Sequence, residues 1–472
     1  MRALLTLLAV ASLIGCQKPP KALPDPQHSK EIVVVTHNGP NTYYVNGDNQ
    51  FAGLEYDLVK LFAKDLGPDY SVKFLIVSNI TQVIPTLLKG KAHLAAADLS
   101  VTHLRQHLVQ FSAPYENVQQ QVVYNRELVT KKDVPKKPAD LVGKDIAVPV
   151  GTSYAERLAD LRQREPRLQW RELKTSSDDL LQQVAEGSLG YTLADGHLVS
   201  ILQNYYPNLG VAMDIGEPEK IAWAFPKTAE PWLYEKANLF FARILKDGTM
   251  HNLLDRYYGH SERLNQLDVT AFLKRSGTLL PKYIDLFKKA QELTGIDWRL
   301  LAAISYQESH WDTFNTSPTN VRGLMMLTED TADRLGVTDR LDPNQSIIAG
   351  ARYVLTLKDM IPKRIPEPDR TWMALAAYNI GFAHLEDARV LAQRLKRNPD
   401  SWVDLKSTLP LLNKEEYYST LKYGFARGGA PVVFVESIRT YYNILEQHQP
   451  KHREVLPSFN LAWLNARQAP VP

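Results

Sequence analysis

The residues best placed to do chemistry lie in the run Ile304-Ser305-Tyr306-Gln307-Glu308-Ser309-His310-Trp311. Leu301, Ile304, Ser305 and Glu308 recur at helical spacing, so the carboxyl of Glu308 falls on the apolar stripe of a helix. A carboxyl there is desolvated unless paired, and desolvation raises its pKa toward the range of a general acid. Asp312, one turn beyond, is the nearest candidate for the second carboxylate that most glycosidases use. A second constellation lies far upstream and comprises Asp98, Ser100 and Arg105, then Thr152-Ser153, then Asp195. Arginine offers a planar fork that suits a carboxylate, and a buried carboxylate suits an ammonium group. The plainer readings are a surface helix charge for Arg105 and a helix cap for Asp195. His103 and His107 share the i, i+4 spacing of a metal chelate. No further ligand lies near them in the sequence, so they read as solvated histidines, and no metal or cofactor is expected.

The elements that must position these groups change character midway along the chain. From residue 31 to about 265 short β-branched runs alternate with helical patterns. Ile32–Val35, Val72–Val77, Ala92–Ala96, Asp145–Val148, Leu168–Leu173, Tyr191–Ala194 and Ile221–Phe225 read as strands. Helices are expected over Gly53–Leu66, Ile80–Leu88, Tyr154–Arg162 and Ser177–Glu186. That order implies two α/β lobes with parallel pairing, and a chain that crosses out and returns, which makes a hinged cleft. From about 269 to 453 the pattern is helical throughout. Helices are expected over Leu279–Leu293, from Asp297 as N-cap through Glu308, and over Glu329–Leu335, Asn344–Met360, Thr371–Tyr378, Leu385–Leu395, Lys414–Tyr423 and Phe434–Gln447.

At 472 residues the chain has room for two to four domains, and its net charge of +3 is too small for a broad nucleic-acid footprint. Residues 1–15 read as a signal segment, with Arg2 ahead of an apolar core too short to span a bilayer. Residues 16–30 carry four prolines and read as a tether, and 454–472 as a tail. Cys16 is the only cysteine, so no disulfide can form within the chain.

Three resemblances add to this reading. Leu13-Ile14-Gly15-Cys16 resembles a bacterial lipoprotein lipobox, which implies cleavage before Cys16, acylation of that cysteine and lipid anchoring. Gln17 after the cysteine implies the periplasmic face of the outer membrane as its destination. Gly53 with Asp57-Leu58, Asp98-Leu99-Ser100-Val101-Thr102 with Arg105, Phe111-Ser112-Ala113-Pro114-Tyr115, Val150-Gly151-Thr152-Ser153, Asp195 and Asp247-Gly248-Thr249-Met250 resemble the family 3 solute-binding proteins that hold amino acids. The resemblance implies that Arg105 clamps a ligand carboxylate, that Ser100, Thr152 and Ser153 add hydrogen bonds, and that Asp195 takes an ammonium. It puts Asp98 in the same binding stretch, and makes an amino acid or muropeptide the expected ligand.

Glu308-Ser309, Ser317, Gly323-Leu324-Met325, Thr331-Ala332, Ala376-Ala377-Tyr378-Asn379-Ile380-Gly381 and Glu416-Tyr417 resemble the family 1 lytic transglycosylases, which share the goose-type lysozyme fold. The implied fold is therefore multidomain: a two-lobed α/β solute-binding fold followed by an all-α lysozyme-like domain. The implied activity is non-hydrolytic cleavage of peptidoglycan strands between MurNAc and GlcNAc, leaving 1,6-anhydromuramoyl ends. Glu308 is its implied catalytic acid, with Ser317, Met325, Tyr378, Asn379 and Tyr417 at the sugar. The sequence departs from the family pattern at Met326, which stands where Gln is usual, and at Asn320-Val321, which replace Gly-Ala. Two further readings fit the same residues: a hydrolytic muramidase on that fold, and a binding receptor with an inactive helical domain.

Overall fold

The structure is a computed structural model that describes residues 23–39, 41–45, 50–228, 231–259, 266–315 and 321–452, with the side chains of 266 and 267 excepted. The first lobe is built on the strand Glu31–His37, whose residues 32–36 are buried. It pairs in parallel with Ser71–Val77 and with Leu94–Ala95. The strands Ala224–Pro226 and Val109–Phe111 join the sheet antiparallel to their neighbours, so the sheet is mixed rather than wholly parallel. In the second lobe Gln120–Asn125 lies antiparallel between Tyr191–Asp195 and Leu209–Asp214, while Ala147–Pro149 pairs in parallel with Arg171–Leu173. The chain passes between the lobes on two strands, Glu116–Val118 going out and Glu219–Ile221 coming back, and these pair antiparallel. That is the hinge the alternating pattern implies.

The expected strand at 221–225 divides in two at Ala222-Trp223. Ser112 and Trp223 exchange hydrogen bonds there, Ser112 N–H donating to the Trp223 carbonyl and Trp223 N–H to Ser112 Oγ, which carries the chain from the hinge pairing into the first sheet. Only residues 171–173 of the expected 168–173 strand pair. The helix read over 279–293 is interrupted: Leu280–Lys282 is a 3₁₀ turn around Pro281, and the α-helix runs Ile284–Thr294. The helix read over 414–423 shortens to Glu415–Tyr418. Beyond it the Asp387 carboxylate accepts from the backbone N–H groups of Lys422 and Tyr423, at 3.3 and 2.8 Å, and Gly424 takes a left-handed conformation.

The helical half packs around Trp298–Ser309, a helix buried on nearly every side. It lies against Gly429–His448, and Asp369–Ile380 packs on that same long helix. A buried charge network joins the two halves. Helix Thr249–Tyr258, at the end of the α/β half, presents Asp255 to Arg439 and Lys406 of the helical half. Arg439 Nη1 donates to Asp255 Oδ2 at 3.1 Å and to Glu436 Oε1 at 2.9 Å, and Nη2 donates to the Asp255 carbonyl at 2.8 Å. Trp402 Nε1 donates to Glu436 Oε1 at 2.7 Å. Two cations thus face two carboxylates, with Asp255, Arg439 and Glu436 only 8, 3 and 0% exposed.

Candidate active site

Glu308 sits in the last turn of the buried helix and is itself partly exposed. The helix stops within two residues, because His310 and Trp311 both adopt left-handed backbone conformations, with φ of 54° and 60°. Such angles are uncommon for non-glycine residues and persist only where the surroundings enforce them. Here the Trp311 ring is buried, with Nε1 donating 2.9 Å to the Ala302 carbonyl. Glu308 thereby lies where a rigid helix opens onto a turn.

The segment Gly323-Leu324-Met325 is stitched to this helix. Ser305 Oγ and Ser309 Oγ, one turn apart, each donate to the Leu324 carbonyl at 3.0 Å. Met325 N–H donates to Ser346 Oγ at 3.1 Å, and the Tyr378 hydroxyl donates to the Met325 carbonyl at 2.6 Å. Gly323 has φ +82°, and a Cβ there would stand 1.9 Å from the Arg340 carbonyl oxygen, so only glycine fits. The Tyr378 ring lies parallel to Phe434 and is close enough to Glu308 to feel its charge.

Burial pushes the Glu308 carboxyl up to about 8, and no cation or hydrogen bond among the described residues offsets it. A carboxyl raised above its ordinary 4.5 keeps its proton in the fold while the unfolded chain releases it. Its contribution to stability is therefore fully present below about pH 4.5 and is lost as pH rises through about 8. Glu308→Gln is expected to remove this slope, leaving the variant more stable than the parent at alkaline pH; denaturant midpoints measured at about pH 5 and about pH 9 check this.

The expected sugar contacts are placed unevenly. Tyr378 and Tyr417 are partly buried against the helical core, and Asn379 is exposed at the helix end. The Met325 side chain is fully buried, so it holds the floor from beneath, and its carbonyl is what engages Tyr378. Ser317 and Cys16 lie outside the described residues. Asp312 is exposed and accepts from Phe314 N–H at 3.0 Å, the arrangement of a turn cap. Ser346 was not singled out by the sequence, and Ser305 entered only as a position on the helical face of Glu308, with no sign of its bond to the Leu324 carbonyl.

In the α/β half, Asp98, Ser100, Arg105, Thr152, Ser153 and Asp195 all line one pocket between the lobes. Arg105 is buried, with its guanidinium donating to the carbonyls of Ser100 at 3.1 Å and of Gly151 at 3.4 Å. Ser100 Oγ and Ser153 Oγ lie 3.2 Å apart, and Gln120 Nε2 donates to Ser153 Oγ at 2.9 Å. The sequence reading missed His197 and Glu116, which stand among these groups. Burial pushes Asp195 and Glu116 up to about 7, with Asp98 adding to the effect. Asp98 in turn is held below the usual range by His197 despite its burial, and His197 is raised to about 9 chiefly by Asp98. His103 and His107 are exposed, with their Nε2 atoms 3.2 Å apart.

The chain matches two known families in succession. Residues 32–260 match the bacterial extracellular solute-binding proteins, family 3, and residues 285–400 match the transglycosylase SLT domain. It is 66% identical over 466 residues to a membrane-bound lytic murein transglycosylase F of Methylobacillus flagellatus, covering 98% of each chain. It is 48% identical over 443 residues to the protein of the same name from Nitrosospira multiformis, covering 94% of this chain and 91% of that one. The similarity extends along nearly the whole length of these relatives, and with its solute-binding and transglycosylase matches in succession the chain belongs to the membrane-bound lytic murein transglycosylase F family.

Proposed function

We propose that Glu308 is the single acid–base residue of this lytic murein transglycosylase. What supports this most directly is the placement of Glu308 in the last turn of the buried helix, with no cation or hydrogen-bond partner among the described residues and its carboxyl pushed up to about 8 by burial. Protonated Glu308 donates to the oxygen linking MurNAc to GlcNAc, and the bond from that oxygen to C1 breaks. The resulting carboxylate takes the proton from the MurNAc C6 hydroxyl, whose oxygen closes on C1 of the same sugar. No water is consumed and no second carboxylate is required. Intramolecular attack gains its rate from proximity. Tyr378, Asn379, Tyr417 and Ser317 orient the sugar, while Met325 supports the floor. Digesting purified sacculi and weighing the products tests this, because anhydro ends follow from ring closure whereas reducing ends would mean hydrolysis.

The pocket between the lobes is the proposed regulatory site, with Arg105, Ser100, Thr152 and Ser153 on a ligand carboxylate and Asp195, beside Asp98, on its ammonium. Calorimetry with free amino acids and stem peptides, followed by cleavage assays with and without whichever binds, tests it; no heat with any of them would leave the half a docking unit. The proposed units are residues 31–265 for this module and 269–453 for catalysis. No described helix is long and apolar enough to cross a membrane, and acylation of Cys16 at the outer membrane is the proposed anchor. Recovery of a Cys16→Ser variant in the membrane fraction would overturn that anchor.

A further inference from the structure

We propose that Asp98, Asp195 and His197 form a site for a divalent transition-metal ion between the two lobes of the solute-binding half. One donor atom from each of the three lies within 4.8 Å of the others. His197 Nε2 and Asp98 Oδ2 are 3.2 Å apart. Ligand bonds of about 2.0–2.2 Å place neighbouring donors on one ion at about that separation. Asp98 comes from the first lobe, and Asp195 and His197 from the second, so an ion here ties the lobes together.

Each donor is also oriented from behind. Asn41 Nδ2 donates to Asp98 Oδ2 at 3.2 Å, and Tyr154 lines the same pocket as Asp195. Glu116 Oε1 lies 3.9 Å from His197 Nδ1, the place of the outer carboxylate that commonly backs a metal-bound histidine. One atom points to a missing ligand independently of this geometry: Oδ1 of Asn41, which is 5% exposed and lines the same pocket, has no hydrogen-bond partner. Buried polar atoms are seldom left so.

The charge balance agrees. Glu55, Asp98, Glu116 and Asp195 interact electrostatically in this region, and Glu55 Oε1 accepts from the Asp98 N–H at 2.8 Å. A divalent ion on His197 Nε2 takes the place of the proton that nitrogen otherwise holds toward Asp98, and leaves one more positive charge among these carboxylates. Imidazole with carboxylates suits zinc or manganese better than a thiolate-seeking ion. The inference goes beyond the amino-acid reading of the pocket, since ion and ligand ammonium would compete for Asp195.

Calorimetric titration of chelator-stripped full-length protein with zinc chloride, and separately with manganese chloride, tests it. One ion per chain is expected, with affinity at least about tenfold weaker in Asp98→Asn and in His197→Gln. The double variant His103→Ala, His107→Ala should bind as the parent does. Zinc-edge X-ray absorption on the loaded parent needs no variant and should show one imidazole with oxygen donors. Absence of binding, binding indifferent to Asp98→Asn and His197→Gln, or two imidazoles on the ion would each overturn the proposal. Titration of the metal-free protein with amino acids reports separately on the regulatory reading.

Discussion

Glu308→Gln is expected to lower peptidoglycan cleavage by about 10²–10⁴-fold, to the floor of a sacculus-digestion assay, while the circular dichroism spectrum stays that of the parent. Glutamine keeps the volume and the partly exposed position, and no described hydrogen bond or ion pair is broken, because burial alone acts on this carboxyl. What disappears is the proton delivered to the leaving oxygen and the base that then collects one from the C6 hydroxyl. Anhydro products formed by the variant at the parent's rate would remove Glu308 from the mechanism. Tyr378→Phe is the informative contrast, since it removes the donor to the Met325 carbonyl and a hydroxyl proposed to orient the sugar, yet leaves the acid in place.

The second large effect lies at the junction of the halves. Arg439→Met is expected to destabilise the protein by about 3–5 kcal/mol, the range found when one partner of a buried pair is removed. Methionine fills much of the space, but Glu436 and Asp255 then share Lys406 as their remaining cation in this network. Thermal and denaturant unfolding of the full chain measure it. Combining the change with Asp255→Asn should cost less than the sum of the two, because each removes the same contact. Additive losses would show that the pair does not act as a unit.

Much of the architecture was legible because periodicity reports directly on burial. The Trp298–Ser309 helix, its Asp297 cap and its buried stripe follow from spacing alone, and the cap's side chain does accept from Arg299 N–H at 2.8 Å. The alternation of strands and helices likewise announces two lobes. It does not announce pairing direction, because Val109–Phe111 and Ala224–Pro226 are too short to carry a pattern and acquire their antiparallel partners only in the folded sheet. The loop after Tyr418 misled for a related reason: its apolar and aromatic residues mimic a helical stripe, whereas Asp387 captures its backbone. The six pocket residues came from motif resemblance, and the structure brings them to one pocket. His197 and Glu116 escaped notice because neither belongs to a motif, and their relation to Asp98 exists only once the chain has folded.

The network around Asp255 also bears on what counts as a part of this molecule. A cut near residue 265 separates two sequence families, yet it does not separate two electrically neutral bodies. The helical half carries Arg439, Lys406 and Glu436 in its interior and takes the second anion from across the boundary. Three residues further along the helix that supplies that anion, Tyr258 stacks on His197, with ring centroids 4.9 Å apart. One short helix is thus the common property of the pocket and the catalytic body, and the boundary drawn by ancestry runs beside it rather than through a gap.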